Sequence, residues 1–253
     1  MKIDLNADMG ESYGNWVMGD DETLLGIVSS ANIACGFHAG DPDVMLKTMK
    51  MAADNNVGVG AHPGFYDILG FGRHRISLPR ETLCNQLRYQ VAAAQGMAKV
   101  AGTNVRHLKL HGALANMASE DPVLAYDLYE AALSVAPGIT IMVLAATAQL
   151  EAVKKLECGY VQEIFADRAY NDDATLVDRR EPNAMIHDPV FAGERIVEMV
   201  KKGGIISATG KLIPTPIDTV CLHGDGAEAV AIARAVRQAL LSNNISIQKF
   251  DVA

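Results

Sequence analysis

The sequence predicts a seven-stranded α/β barrel, and three observations lead there. Short apolar runs of strand length alternate with longer amphipathic stretches of helix length over seven rounds, which implies a parallel sheet. Each strand-like run is aliphatic on one face only and polar or small on the other. A doubly wound sheet, covered by helices on both faces, would read as near-continuous Val, Ile and Leu. In a barrel the aliphatic faces pack outward on the helix ring, and the inward faces can be polar where a site occupies the interior. Third, ionisable residues gather just after the strands, at the face where α/β barrels carry their active sites.

The predicted strands are Lys2–Asn6, Ser30–Cys35, Val57–Ala61, Arg106–His111, Ile139–Leu144, Tyr160–Phe165 and Thr219–His223. In the first, Ile3 and Leu5 oppose Asp4, Asn6 and Asp8; in the fourth, Leu108 and Leu110 oppose His107, Lys109 and His111. The predicted helices are Asp41–Asn55, Pro79–Ala101, Asp121–Val135, Ala146–Leu156, Pro189–Lys202 and Gly226–Asn243. Asp41-Pro42, Asp121-Pro122 and Asp188-Pro189 each place a capping carboxylate before a proline at the first helical position. Between Ser207 and Ile217 the alternation breaks, and Ala208–Pro214 reads as a small hairpin before the last strand, turning at Thr-Gly-Lys. No linker, low-complexity tract or charge block divides the chain, so one domain over residues 1–253 is expected, a size that one core can still fill.

Composition narrows the function. The 253 residues carry 22 Lys+Arg against 30 Asp+Glu, a net charge of −8, which disfavours nucleic acid or an anionic membrane as partner. The longest apolar run, Ile139 to Ala148, is too short for a spanning helix, and the N-terminus lacks a signal peptide's apolar stretch. Four scattered cysteines without a CxxC pair fit a reducing compartment, so a cytoplasmic protein is expected.

The chemistry is expected at the strand ends. Asp8, His38 and His62 follow three consecutive strands, and a carboxylate with two imidazoles can hold a divalent metal with open positions. The alternative is direct hydrogen bonding to substrate. Lys109 either binds a carboxylate or polarises a carbonyl, or it pairs with Asp4, Glu163 or Asp167. Asp8, Glu11 or His111 is the candidate general base. Arg73, in the Gly-rich segment Gly70-Phe-Gly-Arg73, either closes over a ligand or is a solvated surface charge. Asn6, Glu163, Asp167, Arg168, His223 and Asp225 complete the candidate binding set. Gly204 to Lys211 resembles a phosphate-binding loop, but its spacing is one residue too long and Leu212 replaces the required Ser or Thr. No GxSxG nucleophile motif occurs, and Cys35 and Cys221 read as inert buried thiols.

The segments Asp4-Leu-Asn-Ala-Asp8-Met-Gly-Glu11, Asn32-Ile-Ala-Cys-Gly-Phe-His38-Ala-Gly-Asp41-Pro42, Gly60-Ala-His62-Pro-Gly, Lys109-Leu-His111-Gly-Ala-Leu, Glu163-Ile-Phe-Ala-Asp167-Arg168-Ala-Tyr170 and His223-Gly-Asp225 occur in colinear order. Together they resemble the LamB/YcsF family, the A subunits of prokaryotic 5-oxoprolinase. That resemblance implies a TIM-like barrel related to glycoside hydrolases and polysaccharide deacetylases. It also implies ATP-dependent opening of the lactam 5-oxo-L-proline to L-glutamate, together with subunits B and C. A lactam is a stable amide, so coupling to ATP, for example through a phosphorylated intermediate, is the expected way to complete its hydrolysis. The deacetylase relatives use an Asp-His-His metal site, similar to Asp8, His38 and His62. Leu110 and Ala115 stand where the family has Pro and Tyr, Ala174 and Asp178 where it has Gly and Ser, and Tyr66 where Pro is common. Two other readings suit the same residues: a stand-alone metal-dependent amidohydrolase or deacetylase, and a non-catalytic subunit that delivers substrate.

Overall fold

A computed structural model of the chain describes residues 1–223 and 228–251. Strands β1 (Lys2–Met9), β2 (Ser30–Ala34), β3 (Gly58–His62), β4 (Val105–Lys109), β5 (Thr140–Leu144) and β6 (Tyr160–Phe165) pair in parallel, each with the next. After the short pair β7 (Gly204–Ile206) and β8 (Leu212–Pro214), strand β9 (Thr219–Leu222) lies between β6 and β1 and closes a seven-stranded barrel. A two-residue strand, β10 (Ser246–Ile247), adds to the start of β1.

The long helices sit where the amphipathic stretches predict them: α2 (Pro42–Asp54), α3 (Arg80–Val100), α5 (Pro122–Val135), α6 (Ala148–Leu156), α7 (Pro189–Lys202) and α8 (Ala229–Ser242). Asp41, Asp121 and Asp188 each accept from two backbone N–H groups in the first turn of α2, α5 and α7, with proline at the helix start. Two further short helices are present, α1 (Asp21–Leu25) and α4 (Gly112–Glu120). The insertion before the last barrel strand is an antiparallel pair as expected, but it begins earlier, at Gly204, and turns through residues 207–211. Among the described residues, no helix is long and apolar enough to cross a membrane.

The strand faces sort as the alternation requires. Ile3, Leu5, Val59, Leu108, Ile141, Ile164 and Val220 are buried in the apolar clusters outside the barrel wall. The interior holds a continuous polar chain instead. Asp4 accepts from Ser29, Ser30 and Thr219 hydroxyls at 2.7, 2.8 and 2.5 Å. Asn6 Nδ2 donates to Thr219 Oγ1 at 2.8 Å, and Asn32 Nδ2 donates to Asn6 Oδ1 at 2.7 Å and to Asp8 Oδ1 at 2.9 Å. Such a network is tolerated in a buried interior because nearly every member finds a partner. Gly60 provides room for the ring of His107, which a Cβ at that position would overlap. Ala174 adopts φ +69°, the left-handed region in which glycine is unstrained.

His107 gives the interior a pH signature. Its Nε2 lies 2.7 Å from Asn32 Oδ1, while its Nδ1 is buried with no hydrogen-bond partner. Burial first, and then the Arg106 and Lys109 charges, push its pKa down from 6.5 to about 3. Between those values the unfolded chain binds a proton that the folded chain does not, so stability falls as pH falls through this window. Asp4 acts with the opposite sign, because burial raises its pKa to about 6 and the folded state then takes the extra proton. Comparing His107→Gln with the parent isolates the histidine. Urea unfolding at pH 6.5 and pH 5 should show the variant gaining about 2 kcal/mol relative to the parent at the lower pH. Parallel behaviour of the two proteins would contradict this assignment.

Candidate functional site

A cavity of about 680 Å³ opens at the C-terminal ends of the barrel strands. Its floor is the top of the interior network. Lys109 Nζ, at the end of β4, lies 2.9 Å from Asp8 Oδ1, 3.0 Å from Glu163 Oε1 and 2.9 Å from Cys221 Sγ. The ammonium is therefore committed inside the protein, to Glu163 and also to Asp8. Burial would lower the pKa of Lys109, but the Asp8 carboxylate and the neighbouring Cys221 and Glu163 hold it well above its usual value. Burial likewise opposes ionisation of Asp8, yet His62 and Lys109 keep its pKa well below normal. Glu163 is raised by burial. Cys221 is pushed far up by burial, in keeping with an unreactive thiol.

Beside this triad stands a cluster of Glu11, His38, His62 and His111, each contributing one atom, all within 4.8 Å of one another and all buried. His62 Nδ1 is 2.8 Å from the Lys109 carbonyl oxygen, and His111 Nε2 is 2.8 Å from the Phe71 carbonyl oxygen. Both contacts require N–H donors, so the remaining nitrogens, His62 Nε2 and His111 Nδ1, carry lone pairs in the neutral rings. Those two atoms face each other at 3.0 Å. Neither nitrogen of His38 has a hydrogen-bond partner, although Nε2 lies 3.4 Å from Glu11 Oε1. Burial, and then the neighbouring imidazoles, hold His38 and His111 well below the usual histidine pKa. Imidazoles whose ring nitrogens converge, two of them oriented by backbone carbonyls, are the donor set of a metal centre. These four residues could hold a divalent cation. Asp8 stands at the edge of the cluster, its Oδ2 3.3 Å from His62 Nε2, and groups more closely with Cys221 and His223.

The Gly-rich segment forms the roof. Gly72 has φ +63°, and a Cβ there would come within 2.7 Å of His38 Cβ and 2.8 Å of His111 Cδ2. Only glycine lets this backbone lie against both rings. Arg73, the next residue, lines the cavity and stacks over Phe71 at 4.8 Å. On the opposite side, His223 Nδ1 contacts both oxygens of Asp167 at 2.8 and 2.7 Å. Its Nε2 points toward the floor, 3.9 Å from Asp8 Oδ2. Burial opposes ionisation of Asp167, but His223, Arg179 and Arg168 keep its pKa below normal.

The structure thus brings Asp8, Glu11, His62, Arg73, Lys109, His111, Glu163, Arg168 and His223 to one cavity, with His38 and Asp167 bonded or packed against its lining residues. Asn6 does not reach the cavity; it is fully buried one layer below, bonded to Thr219 and Asn32. Asp225 lies outside the described residues. Residues that the sequence reading passes over also take part. Asn32 fixes Asp8, the Phe71 carbonyl fixes His111, and Arg179 joins the cavity wall. A backbone carbonyl has no signature in sequence, and Arg179 lies in the irregular segment 166–188, which carries no periodicity.

The family model for the LamB/YcsF family matches residues 3–253. The chain belongs to the LamB/YcsF family. A relative from Ruegeria pomeroyi, named as the A subunit of 5-oxoprolinase, is 60% identical to this family member over 250 residues, 99% of each chain. The crystal structure of a lactam utilization protein from Thermus thermophilus superposes with a TM-score of 0.92 at 38% identity, covering 99% of this chain and 100% of the other. The catalytic domain of a peptidoglycan N-acetylglucosamine deacetylase from Eubacterium rectale matches at a TM-score of 0.51 and 11% identity, over 98% of this chain and 88% of that one. The last likeness is one of fold alone.

Proposed function

We propose that this LamB/YcsF protein is the lactam-opening subunit of an ATP-dependent 5-oxoprolinase, converting 5-oxo-L-proline to L-glutamate. The observation that carries the reading is the polar cavity at the barrel mouth, in a chain whose full-length relative at 60% identity is named as the A subunit of 5-oxoprolinase. Ring opening adds water to the lactam carbonyl carbon, breaks the ring C–N bond and delivers a proton to the departing nitrogen. His223 suits the proton transfers: Asp167 fixes its Nδ1, which leaves Nε2 facing the cavity. Lys109 keeps Asp8 ionised and immobile beside it. Glu11, His38, His62 and His111 would hold a divalent cation, which when bound supplies a Lewis acid for a carbonyl oxygen and lowers the pKa of water. His111 holds its side of the cavity against the roof segment through the Phe71 carbonyl.

In this reading ATP is handled by the complex with subunits B and C, since the chain has no recognised nucleotide motif. The whole chain acts as one barrel domain. It works in the cytoplasm, where its four unpaired cysteines stay reduced.

Reconstitution tests the proposal. Glutamate release from 5-oxoproline is measured with this chain alone, then with B and C subunits and ATP. Release only in the complete mixture is the expected result. A complete mixture that forms no glutamate overturns the reading, and release by the isolated chain without ATP would make it a stand-alone amidohydrolase instead.

A further inference from the structure

Proton transfer at His223 depends on where its ring is held, and two of its contacts come from the bend that follows β6. The Phe165 ring stacks on the imidazole at 5.3 Å, with the planes 24° apart, and Asp167 takes the Nδ1 side. That bend is gripped from behind. Arg195, a buried residue of α7, donates from Nη1 to the Phe165 carbonyl at 3.2 Å and from Nη2 to the Arg168 carbonyl at 2.9 Å. The two carbonyls flank Asp167. Tyr170, fully buried, accepts the Phe165 N–H on its hydroxyl at 2.6 Å, and the Arg195 guanidinium lies over the Tyr170 ring, 5.5 Å from its centroid. Burial lowers the pKa of Arg195, against the pull of Tyr170 and Asp167.

A buried guanidinium bonded to neutral carbonyls is costly to desolvate, and a hydrocarbon side chain would fill the same space between α7 and the barrel without that cost. What hydrocarbon cannot do is fix two carbonyls three residues apart with one rigid fork. We infer that Arg195, braced by Tyr170, is a positioning residue for His223. It sets the bend 165–168 so that the Phe165 face and the Asp167 carboxylate hold the imidazole in its Nδ1–H tautomer, with Nε2 toward the cavity. Arg195 does not itself line the cavity and acts through Phe165 and Asp167. The brace rests on these contacts alone; only its consequence for turnover rests on the proposed lactam opening.

Nitrogen-15 NMR of the full chain labelled at histidine reads the tautomer directly, in mildly alkaline solution where an ordinary imidazole is neutral. The His223 signals are those absent from His223→Gln. The parent should show His223 as Nδ1–H. Arg195→Met should move it toward a mixture with the Nε2–H form, and Arg195→Lys, which keeps a donor but not the fork, should fall between. Tyr170→Phe removes the other half of the brace and should shift the mixture the same way, which keeps the inference refutable if Arg195→Met fails to fold. A role confined to stability would lower the thermal midpoint and leave the tautomer where it was. In the reconstituted assay Arg195→Met should lower kcat about tenfold or more while KM stays within about twofold. A parent chain with His223 in the Nε2–H form, or folded Arg195→Met and Tyr170→Phe proteins that both keep the parent tautomer, overturns the inference. A tautomer that follows Arg195, in a chain whose reconstituted mixture makes no glutamate, upholds the brace while removing the proposed reaction.

Discussion

Replacing Lys109 with Met is expected to be the most damaging single change in the barrel. The variant keeps most of the side chain's length and removes the ammonium that lies between Asp8 and Glu163. Two carboxylates then remain buried without their shared counter-ion, and breaking a buried ion pair in this way costs about 3–5 kcal/mol. For a chain of this size that corresponds to a fall of roughly 10 °C in thermal midpoint. Reconstituted lactam opening should fall with it, by about 100-fold or more, because Asp8 loses the contact that fixes it. Glu163→Gln, added to the Lys109→Met background, removes one of the stranded charges and should recover about half of the lost stability. Scanning calorimetry of the two variants checks the sign. A Lys109→Met protein as stable as the parent would show that the triad does not hold the floor.

The second large effect concerns the cluster beside it. The chain should bind one equivalent of a divalent cation, measured by elemental analysis after dialysis and by the visible spectrum of a cobalt-loaded sample. His62→Ala and Glu11→Gln should each weaken binding by more than the roughly 10–100-fold typical of losing an outer partner. Asp8→Asn, outside the four-residue cluster but close to His62, should weaken it about tenfold. This comparison separates the carboxylate that the strand order points to from the one the folded chain places among the imidazoles. Equal binding by the parent and all three variants would remove the metal centre. The close approach of His62 and His111 would then be a shared proton.

Much of this architecture is legible in sequence because it follows from alternation. Asp4, Asn6 and Asp8 occupy every second position of β1, so one inward face carries the network from the barrel's base to its mouth. The three Asp-Pro pairs mark helix starts for the same local reason. Alternation stops where the strand stops, and there the reading loses precision. Glu11 follows Gly10, at φ +68°, and His38 lies beyond Gly36, at φ +88°; after such turns no periodicity says where a side chain points. The grouping of Glu11 and His111 with His38 and His62 is therefore a product of the fold. Helix α4 escapes notice because it begins directly after His111 with no side-chain cap, and α1 has only five residues, too few to display a period. Lys109 is readable as an inward charge, but which of several acids it meets depends on barrel closure, which brings β4, β1 and β6 to a common floor.

The central claim is that lactam opening takes place at this barrel mouth. It is tested most directly by counting glutamate formed and ATP consumed in the complete reconstituted mixture, with the parent chain and with Glu11→Gln confirmed as folded. The account predicts that glutamate formation falls about 100-fold or more with the variant, so that the glutamate yield per ATP collapses. Glutamate formation at the parent rate with Glu11→Gln would contradict it.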